Sequence, residues 1–180
     1  MQIAALDSAY IYESNLGIFR NIVLLPEFIA APRVFTYLSI GREVDTKALI
    51  EYCLEIGKQL ALPSDCCRGK MNFALLDCPV SELPRGKFDI PVPRDDAKRL
   101  IPESRDIIIV PALCYDESFF RMGRGGGYYD RFLSDCPAFS VGLCREKLVV
   151  TAVPRDGYDL PVSCLVTENR IARPKLAPQK

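Results

Sequence analysis

A glycine-rich stretch at residues 121–133, RMGRGGGYYDRFL, carries the residue types that bind phosphate groups. Glycine lets backbone N–H groups approach an anion closely, and a helix N-terminus adds a favourable dipole. Arg121 and Arg124 can grip phosphate oxygens through their planar guanidinium groups. Asp130, one turn into the predicted helix, can hold a divalent cation beside those phosphates. The spacing therefore predicts a nucleotide phosphate site on a loop-to-helix turn.

The familiar phosphate-binding motifs do not match this stretch. A P-loop requires Lys and then Ser or Thr after its last glycine, whereas Tyr128 and Tyr129 follow Gly127 here. A dinucleotide fingerprint that begins at Gly123 would require a further glycine at position 128. On the glycines alone, a surface turn before a helix explains the stretch about as well as a phosphate site does.

The chain that precedes the glycines favours the phosphate site. Residues 106–110 read DIIIV, a run typical of a buried parallel strand, and Pro111 ends it. The glycine loop therefore follows the C-terminal end of a central strand. Open α/β sheets bind their ligands at that edge.

Three blocks of sequence together form a family signature. They are, in chain order, YLSIGREVDT at 37–46 with Gly57-Lys58 and Leu62-Pro63 after it, IVPALCYD at 109–116 with RMGRGGGYYD at 121–130, and VPRDGYD at 153–159 with LVTE at 165–168. In order and spacing, these blocks resemble the 5-formyltetrahydrofolate cyclo-ligases, also called methenyltetrahydrofolate synthetases. The resemblance covers residues 14–171.

The resemblance implies an ATP- and Mg²⁺-dependent enzyme that cyclises 5-formyltetrahydrofolate to 5,10-methenyltetrahydrofolate and releases ADP and phosphate. The implied ATP loop comprises Arg121, Met122, Gly123, Arg124, Gly125, Gly126, Gly127, Tyr128 and Tyr129. The implied folate contacts are Leu38, Glu43, Arg124, Gly125, Gly126, Gly127 and Tyr128. Asp130 and Asp159 would hold Mg²⁺. Arg121 and Arg124 would serve catalysis by neutralising charge on the transferring phosphoryl group.

The residues alone leave simpler interpretations open at these positions. Asp130 and Glu43 each suit an acid that stabilises the dipole of a following helix. Asp159 suits an ordinary turn. Tyr128 and Tyr129 are more often packing residues than ligand stackers, although a flat pterin or adenine would suit either ring.

Three features depart from the family pattern. Family members usually begin with a basic helix that binds ATP phosphates, whereas residues 1–13 contain no Lys or Arg. Either the protein starts upstream or this member lacks those contacts. Val92 stands where a glutamate is common, and Tyr158 stands where a histidine is common. The alternative function is therefore a catalytically weak or inactive folate- or nucleotide-binding relative, and a third is a different small-molecule kinase.

Composition excludes several function classes. The 180 residues include 23 basic and 23 acidic side chains, so no net charge attracts nucleic acid or anionic membranes. No run reaches the roughly 18 apolar residues of a membrane span, and the N-terminus lacks a signal-peptide pattern. The absence of histidine excludes histidine-based triads. We expect a cytoplasmic monomer that acts on small molecules, with its eight cysteines reduced.

The order of predicted elements indicates an α/β fold. We expect one doubly wound domain over residues 1–180, with a mostly parallel sheet flanked by helices and with residues 1–13 and 170–180 peripheral. Helices are predicted from an N-cap at Ser14 to Val23, from Thr46 (capped by Asp45) to Gly57, and over 125–133. Strands are predicted at 34–40, 58–62, 71–76, 106–110, 138–143 and 160–166.

Overall fold

The structure is a computed structural model that describes residues 3–67, 70–86 and 90–174. Its α-helices are α1 (Ser8–Val23), α2 (Pro26–Ala30), α3 (Lys47–Glu55) and α4 (Tyr128–Leu133). Its strands are β1 (Arg33–Phe35), β2 (Gln59–Cys67), β3 (Lys70–Leu75), β4 (Arg99–Leu100), β5 (Ile107–Val110), β6 (Cys114–Asp116), β7 (Arg121–Met122), β8 (Phe139–Leu143), β9 (Val149–Val150), β10 (Cys164–Val166) and β11 (Ile171–Ala172).

Two sheets organise the fold. The larger has the strand order β11-β10-β8-β5-β1-β2-β3-β4. The five adjacent strands from β10 to β2 in this order run parallel to one another. Strands β11, β3 and β4 are antiparallel to their neighbours. The smaller sheet has the order β7-β6-β9. The predicted α/β class with a mostly parallel sheet is confirmed, whereas the second sheet was not predicted.

The large sheet is covered on both faces. In β1, Val34 and Phe35 are fully buried in separate apolar clusters, because successive side chains of a strand point to opposite faces. The cluster around Val34 includes Ile18 of α1 and Leu49 of α3. The cluster around Phe35 includes Tyr115 of the small sheet. Burial on both faces explains why β5 is an unbroken apolar run.

Helix α1 begins earlier than predicted. It starts at Ser8, after the N-cap residue Asp7, whose side chain accepts a hydrogen bond from the Ala9 N–H. Ser14 lies inside the helix and is buried, so its predicted role as N-cap is wrong. Its hydroxyl instead donates to the Ile11 carbonyl and accepts from Arg145. A tertiary contact, not helix initiation, explains this polar residue.

The second predicted helix agrees closely with α3. Asp45 Oδ1 accepts from the Lys47 N–H at 2.9 Å, within the first turn. Gly57 follows the helix with φ of +74°, the left-handed conformation expected of a glycine at this position. The helix itself begins at Lys47 and ends at Glu55.

The predicted strand boundaries were less accurate than the predicted bounds of α3. β1 ends at Phe35, not at residue 40. β2 continues through Pro63 to Cys67, and its pairing with β3 shifts register between Pro63 and Asp65. A proline is tolerated at such an irregularity, so Pro63 does not end the strand as predicted. β10 begins at Cys164 instead of residue 160.

The predictions at the C-terminal side also need correction. Within residues 170–180, which were expected to be peripheral, Ile171 and Ala172 form β11 and pair with β10. Residues 175–180 lie outside the described part of the chain, as do the side chains of Cys66 and Cys67. Across the ranges that the structure describes, no helix combines the length and the apolar character needed to cross a membrane.

Candidate active site

The predicted site residues lie on loops, on β7 and at the start of α4, in segments that follow the C-terminal ends of β1, β5 and β9. Leu38 and Glu43 follow the C-terminal end of β1. The glycine loop follows β7, which is reached from the C-terminal end of β5 through the small sheet. The prediction that the loop lies beyond the central strand is therefore correct, with a β-hairpin inserted between them.

Glu43 and Arg124 connect the loop after β1 to the glycine loop. Arg124 Nη2 lies 3.0 Å from Glu43 Oε1. The second carboxylate oxygen, Oε2, accepts from the Ile40 N–H at 3.0 Å. Glu43 is largely buried, with 14% of its side chain exposed, whereas Arg124 is 63% exposed. The structure thus brings together two residues that were both predicted to contact the folate.

A narrow cleft opens beside this ion pair. Leu113, Leu143 and Arg145 line it together with Glu43 and Arg124. Its cavity volume is about 60 Å³, which is well below the roughly 300–1,000 Å³ of ligand pockets. Because Arg124 is mostly exposed, its ion pair contributes little stability and can be exchanged for a ligand contact. Movement of Arg124 would widen the cleft.

The glycine loop adopts a backbone that needs glycine at two positions. Gly125 has φ of +84° and Gly127 has φ of +60°, conformations that L side chains rarely adopt. These residues therefore lie outside the helix, and the predicted start of the helix at residue 125 is wrong. Helix α4 spans six residues. Such a short helix contributes little dipole, so loop N–H groups and arginine side chains are the remaining anion donors.

Arg121 is engaged with the protein itself. Its Nη2 lies 2.7 Å from Asp130 Oδ1, and its Nη1 donates to the Leu160 carbonyl at 3.2 Å. Leu160 N–H in turn donates to Asp130 Oδ1 at 3.3 Å. Only 6% of the Arg121 side chain is exposed. These three residues join the start of α4 to the segment that contains Asp159.

The two predicted metal ligands therefore lie on neighbouring segments. Asp159 precedes Leu160, and its Oδ2 accepts from the Asp156 N–H at 2.8 Å. Mg²⁺ in phosphate sites takes one or two carboxylates together with substrate oxygens. No group of three or more candidate metal ligands occurs among the residues in the described ranges. The donor set fits a cation that completes its coordination with the phosphates of ATP.

The two tyrosines of the loop have packing partners. The Arg131 guanidinium lies 5.6 Å from the ring centre of Tyr128, and that of Arg121 lies 6.0 Å from the ring centre of Tyr129. Leu38 is partly buried and packs on the core. These contacts fit the structural interpretation of both tyrosines and leave their ligand contacts as predictions.

Asp116 is a buried carboxylate that the sequence analysis missed. Its Oδ1 accepts from the Ser118 and Phe120 N–H groups at 2.9 and 3.0 Å. Its Oδ2 accepts from the Val153 N–H at 3.1 Å. Asp116 thereby ties the β6–β7 turn, which precedes Arg121, to the chain that leads to Asp159. An aspartate directly before a turn is the signal that could have revealed it.

Arg145, at the end of β8, was also missed. It is 1% exposed and is the largest of the fully buried side chains in the described part of the chain. Its guanidinium contacts both α1 and the loop that carries Glu43. An arginine at the end of a strand gives no sequence signal for such contacts.

Comparison with known proteins decides the family. The model of the 5-formyltetrahydrofolate cyclo-ligase family matches residues 6–168. This chain belongs to that family. The 5-formyltetrahydrofolate cyclo-ligase of Escherichia coli K12 is 32% identical over 151 residues, which is 81% of this chain and 83% of that protein. A probable 5-formyltetrahydrofolate cyclo-ligase of Schizosaccharomyces pombe is 26% identical over 175 residues, which is 88% of this chain and 86% of that protein.

Solved structures support the same conclusion about this cyclo-ligase family member. The 5,10-methenyltetrahydrofolate synthetase of Aquifex aeolicus superposes with a TM-score of 0.83 at 31% identity, over 99% of this chain and 89% of that one. The synthetase of Mycoplasma pneumoniae shares the fold at 15% identity, with a TM-score of 0.73 over 93% of this chain and 92% of that one. The predicted family, fold class and enzyme class are confirmed.

Proposed function

We propose that this protein uses ATP and Mg²⁺ to convert 5-formyltetrahydrofolate to 5,10-methenyltetrahydrofolate, with release of ADP and phosphate. The family match over residues 6–168 supports the reaction. The contact between Glu43 and Arg124 carries the assignment of the site. In this contact a carboxylate that suits a pterin lies 3.0 Å from a guanidinium that suits a phosphate. Both residues follow the C-terminal ends of strands, where open α/β sheets bind ligands, which supports the proposal.

The chemistry needs no histidine. The formyl oxygen of the substrate attacks the γ-phosphorus of ATP, and ADP leaves. The N10 nitrogen of the substrate then attacks the activated formyl carbon and loses its proton to solvent, and phosphate departs as the five-membered ring closes. Phosphoryl transfer depends mainly on positioning and charge stabilisation, which arginines and loop N–H groups supply.

Glu43 and Arg124 have complementary roles in this proposal. When a folate enters the cleft, Arg124 leaves Glu43 and turns towards the transferring phosphoryl group. The Glu43 carboxylate then accepts hydrogen bonds from the amide and amine N–H groups of the pterin. Leu38 provides an apolar contact for the ring. Residues 125–128 border both substrates, as the family resemblance implies.

Arg121 and the two aspartates form the proposed cation side of the site. Asp130 and Asp159 would hold Mg²⁺, which when bound neutralises charge on the ATP phosphates. Arg121 holds Asp130 in place through their 2.7 Å ion pair. We assign Arg121 this orienting role, with contact to a phosphate when ATP displaces it from Asp130.

We further propose that the protein acts in the cytoplasm as a monomer, on small molecules and without nucleic acid or membrane partners. Its balanced charge supports this assignment. So do the six cysteines whose side chains the structure describes, all of which are free thiols. Gel filtration with light scattering tests the monomer directly.

An absorbance assay tests the function. Methenyltetrahydrofolate absorbs in the near ultraviolet, so purified protein is mixed with 5-formyltetrahydrofolate and Mg-ATP and that band is followed. The band is expected to grow, and to stay flat when ATP is omitted or EDTA is added. No growth in the complete mixture would contradict the proposal. Folate binding in calorimetry without turnover would then favour the binding-protein alternative.

A further inference from the structure

Arg145 is buried and, within the described part of the chain, has no acidic hydrogen-bond partner. Its Nε donates to Ser14 Oγ at 3.1 Å, and its Nη2 donates to Asn15 Oδ1 at 2.8 Å. Its Nη1 donates to the Arg42 carbonyl at 2.9 Å, and Nη2 also donates to the Glu43 carbonyl at 3.1 Å. These four acceptors are neutral, and burial lowers the pKa of the guanidinium.

A buried charge of this kind is costly. A guanidinium loses its hydration on burial, and neutral acceptors compensate for that loss less well than a carboxylate does. An apolar side chain would fill the same space at lower cost to stability. The hydrogen bonds that Arg145 makes must therefore provide something that packing alone does not. Two of them end on consecutive carbonyls of the loop that carries Glu43.

The same loop is held at further points by α1 and by its own polar residues. Asn15 Oδ1 accepts from the Asp45 N–H at 3.2 Å as well as from Arg145. Thr46 Oγ1 donates to the Tyr37 carbonyl at 2.6 Å. At Glu43 itself, the N–H donates to the Ile40 carbonyl at 3.2 Å within the loop, and Arg145 is the contact that holds the carbonyl from outside the loop. With that carbonyl held, the Glu43 side chain is left to point towards Arg124.

We propose that Arg145 is a positioning residue for the folate subsite. It holds the Glu43 backbone so that the carboxylate faces the cleft. This inference rests on the proposed function, in which Glu43 accepts hydrogen bonds from the folate. Arg145 lines the cleft, but its four hydrogen bonds all end on the protein, two of them on the loop that carries Glu43. Its proposed effect on folate binding therefore passes through Glu43.

Kinetics of Arg145→Met and Arg145→Lys test the inference. Methionine keeps the volume but donates no hydrogen bond, so the KM for 5-formyltetrahydrofolate is expected to rise roughly tenfold or more, the equivalent of one lost charged hydrogen bond. The KM for ATP should be unchanged and kcat less affected than the folate KM. Lysine can still donate to both carbonyls and should recover part of the folate affinity.

Arg33→Met is the matched control. Arg33 is another largely buried arginine, but its Nη2 lies 2.6 Å from Oδ2 of Asp106. This ion pair lies at the N-terminal ends of β1 and β5, whereas Arg145 follows the C-terminal end of β8. Its loss should lower the free energy of unfolding without changing the folate KM. If Arg33→Met raises the folate KM as much as Arg145→Met does, the effect is general destabilisation and the inference is overturned.

If Arg145→Met does not fold, a second pair of variants tests the same inference. Asn15→Leu removes the acceptor shared by Arg145 and the Asp45 N–H, whereas Asn15→Asp keeps it. The first should raise the folate KM and the second should not. An unchanged KM in Asn15→Leu, or a loss confined to ATP, overturns the inference.

Failure of the proposed function is recognised separately. If the wild-type protein shows no turnover, folate dissociation constants from calorimetry replace KM in the same comparisons. Weaker folate binding in Arg145→Met than in Arg33→Met then still supports the positioning role. A wild-type protein that binds no folate overturns both proposals together.

Discussion

Arg121 and Asp130 form a largely buried ion pair, with Nη2 of the arginine 2.7 Å from Oδ1 of the aspartate. The pair joins a predicted phosphate ligand to a predicted metal ligand. Leu160 contacts both partners, so the pair also fixes the segment next to Asp159. A cation bound at Asp130 would share this carboxylate with the Arg121 guanidinium, so the proposed metal site depends on the geometry of the ion pair.

Asp130→Asn should abolish turnover while the protein remains folded. The amide keeps the size of the side chain but loses the charge that attracts both Arg121 and Mg²⁺. Activity is measured over a Mg²⁺ titration, and folding by circular dichroism. Asp135→Asn, an exposed position just beyond α4, is the control and should retain activity. Full activity of Asp130→Asn at an unchanged Mg²⁺ requirement would rule out the metal assignment.

Glu43→Ala should raise the KM for 5-formyltetrahydrofolate and leave the KM for ATP nearly constant. The variant removes the acceptor proposed for the pterin and releases Arg124 from its 3.0 Å contact. Glu51→Ala, an exposed glutamate on α3, should change neither constant. If ATP affinity falls instead and folate affinity does not, Glu43 belongs to the nucleotide side of the site.

Mg-ATP should bind this 180-residue chain weakly. Residues 1–13 carry no Lys or Arg, and Arg121 is already paired with Asp130. Each charge-assisted contact to a phosphate contributes about 1.5–3 kcal/mol. A site with two fewer such contacts therefore binds Mg-ATP roughly 10²-fold or more weakly than a site that has them. Calorimetric titration measures the affinity. A micromolar dissociation constant would show that Arg124 and the loop N–H groups suffice.

Gly17→Ala should destabilise the protein. A Cβ atom there would lie 2.6 Å from Cβ and 3.0 Å from Cα of Glu168, so α1 would have to move away from the segment that follows β10. Overpacking costs about 1–3 kcal/mol, which exceeds the 0.5–1 kcal/mol or so that alanine gains over glycine in a helix. Urea unfolding measures the change. Gly157→Ala meets no atom within 4 Å and should have little effect.

Stability should decline at alkaline pH because of buried thiols. Burial raises the pKa of both Cys53 and Cys144 to about 12, from an ordinary value of 9.0. The stability that these two neutral thiols contribute is fully present below pH 9. It is lost as the pH rises from 9 towards 12, because thiols ionise first in the unfolded chain. Free energies of unfolding, measured across that range, should fall less steeply in the double variant Cys53→Ala, Cys144→Ala. An equal slope in both proteins would contradict this origin.

Local pattern was enough to predict part of the fold. The apolar run of β5 and the hydrogen bond from the Lys47 N–H to Asp45 depend on residues that are close in sequence, although the N-cap residue of α3 is Thr46 and not the predicted Asp45. The small sheet could not be predicted in this way. Its strands β6, β7 and β9 have two or three residues each, too few for an alternation of apolar and polar side chains to be recognised.

The candidate site, like the fold, was predictable only where its features depend on local sequence. Its glycine loop is visible as a motif, because the backbone at Gly125 and Gly127 demands glycine. The pairing of Arg121 with Asp130 and the role of Arg145 depend on which segments the fold brings together. Arg145 and its acceptor Ser14 are 131 positions apart, and no local pattern spans that separation. Ser14 itself was misinterpreted for the same reason.

Asp116 holds the turn before Arg121 through main-chain groups. Its carboxylate binds main-chain N–H groups of Ser118, Phe120 and Val153, and every residue except proline offers the same donor. These hydrogen bonds therefore depend on the backbone at the three positions and not on the identity of their side chains. Within the turn that precedes Arg121, the demand for a particular side chain thus falls on position 116, whereas the exposed Ser118 can be replaced by any residue that keeps its main-chain N–H.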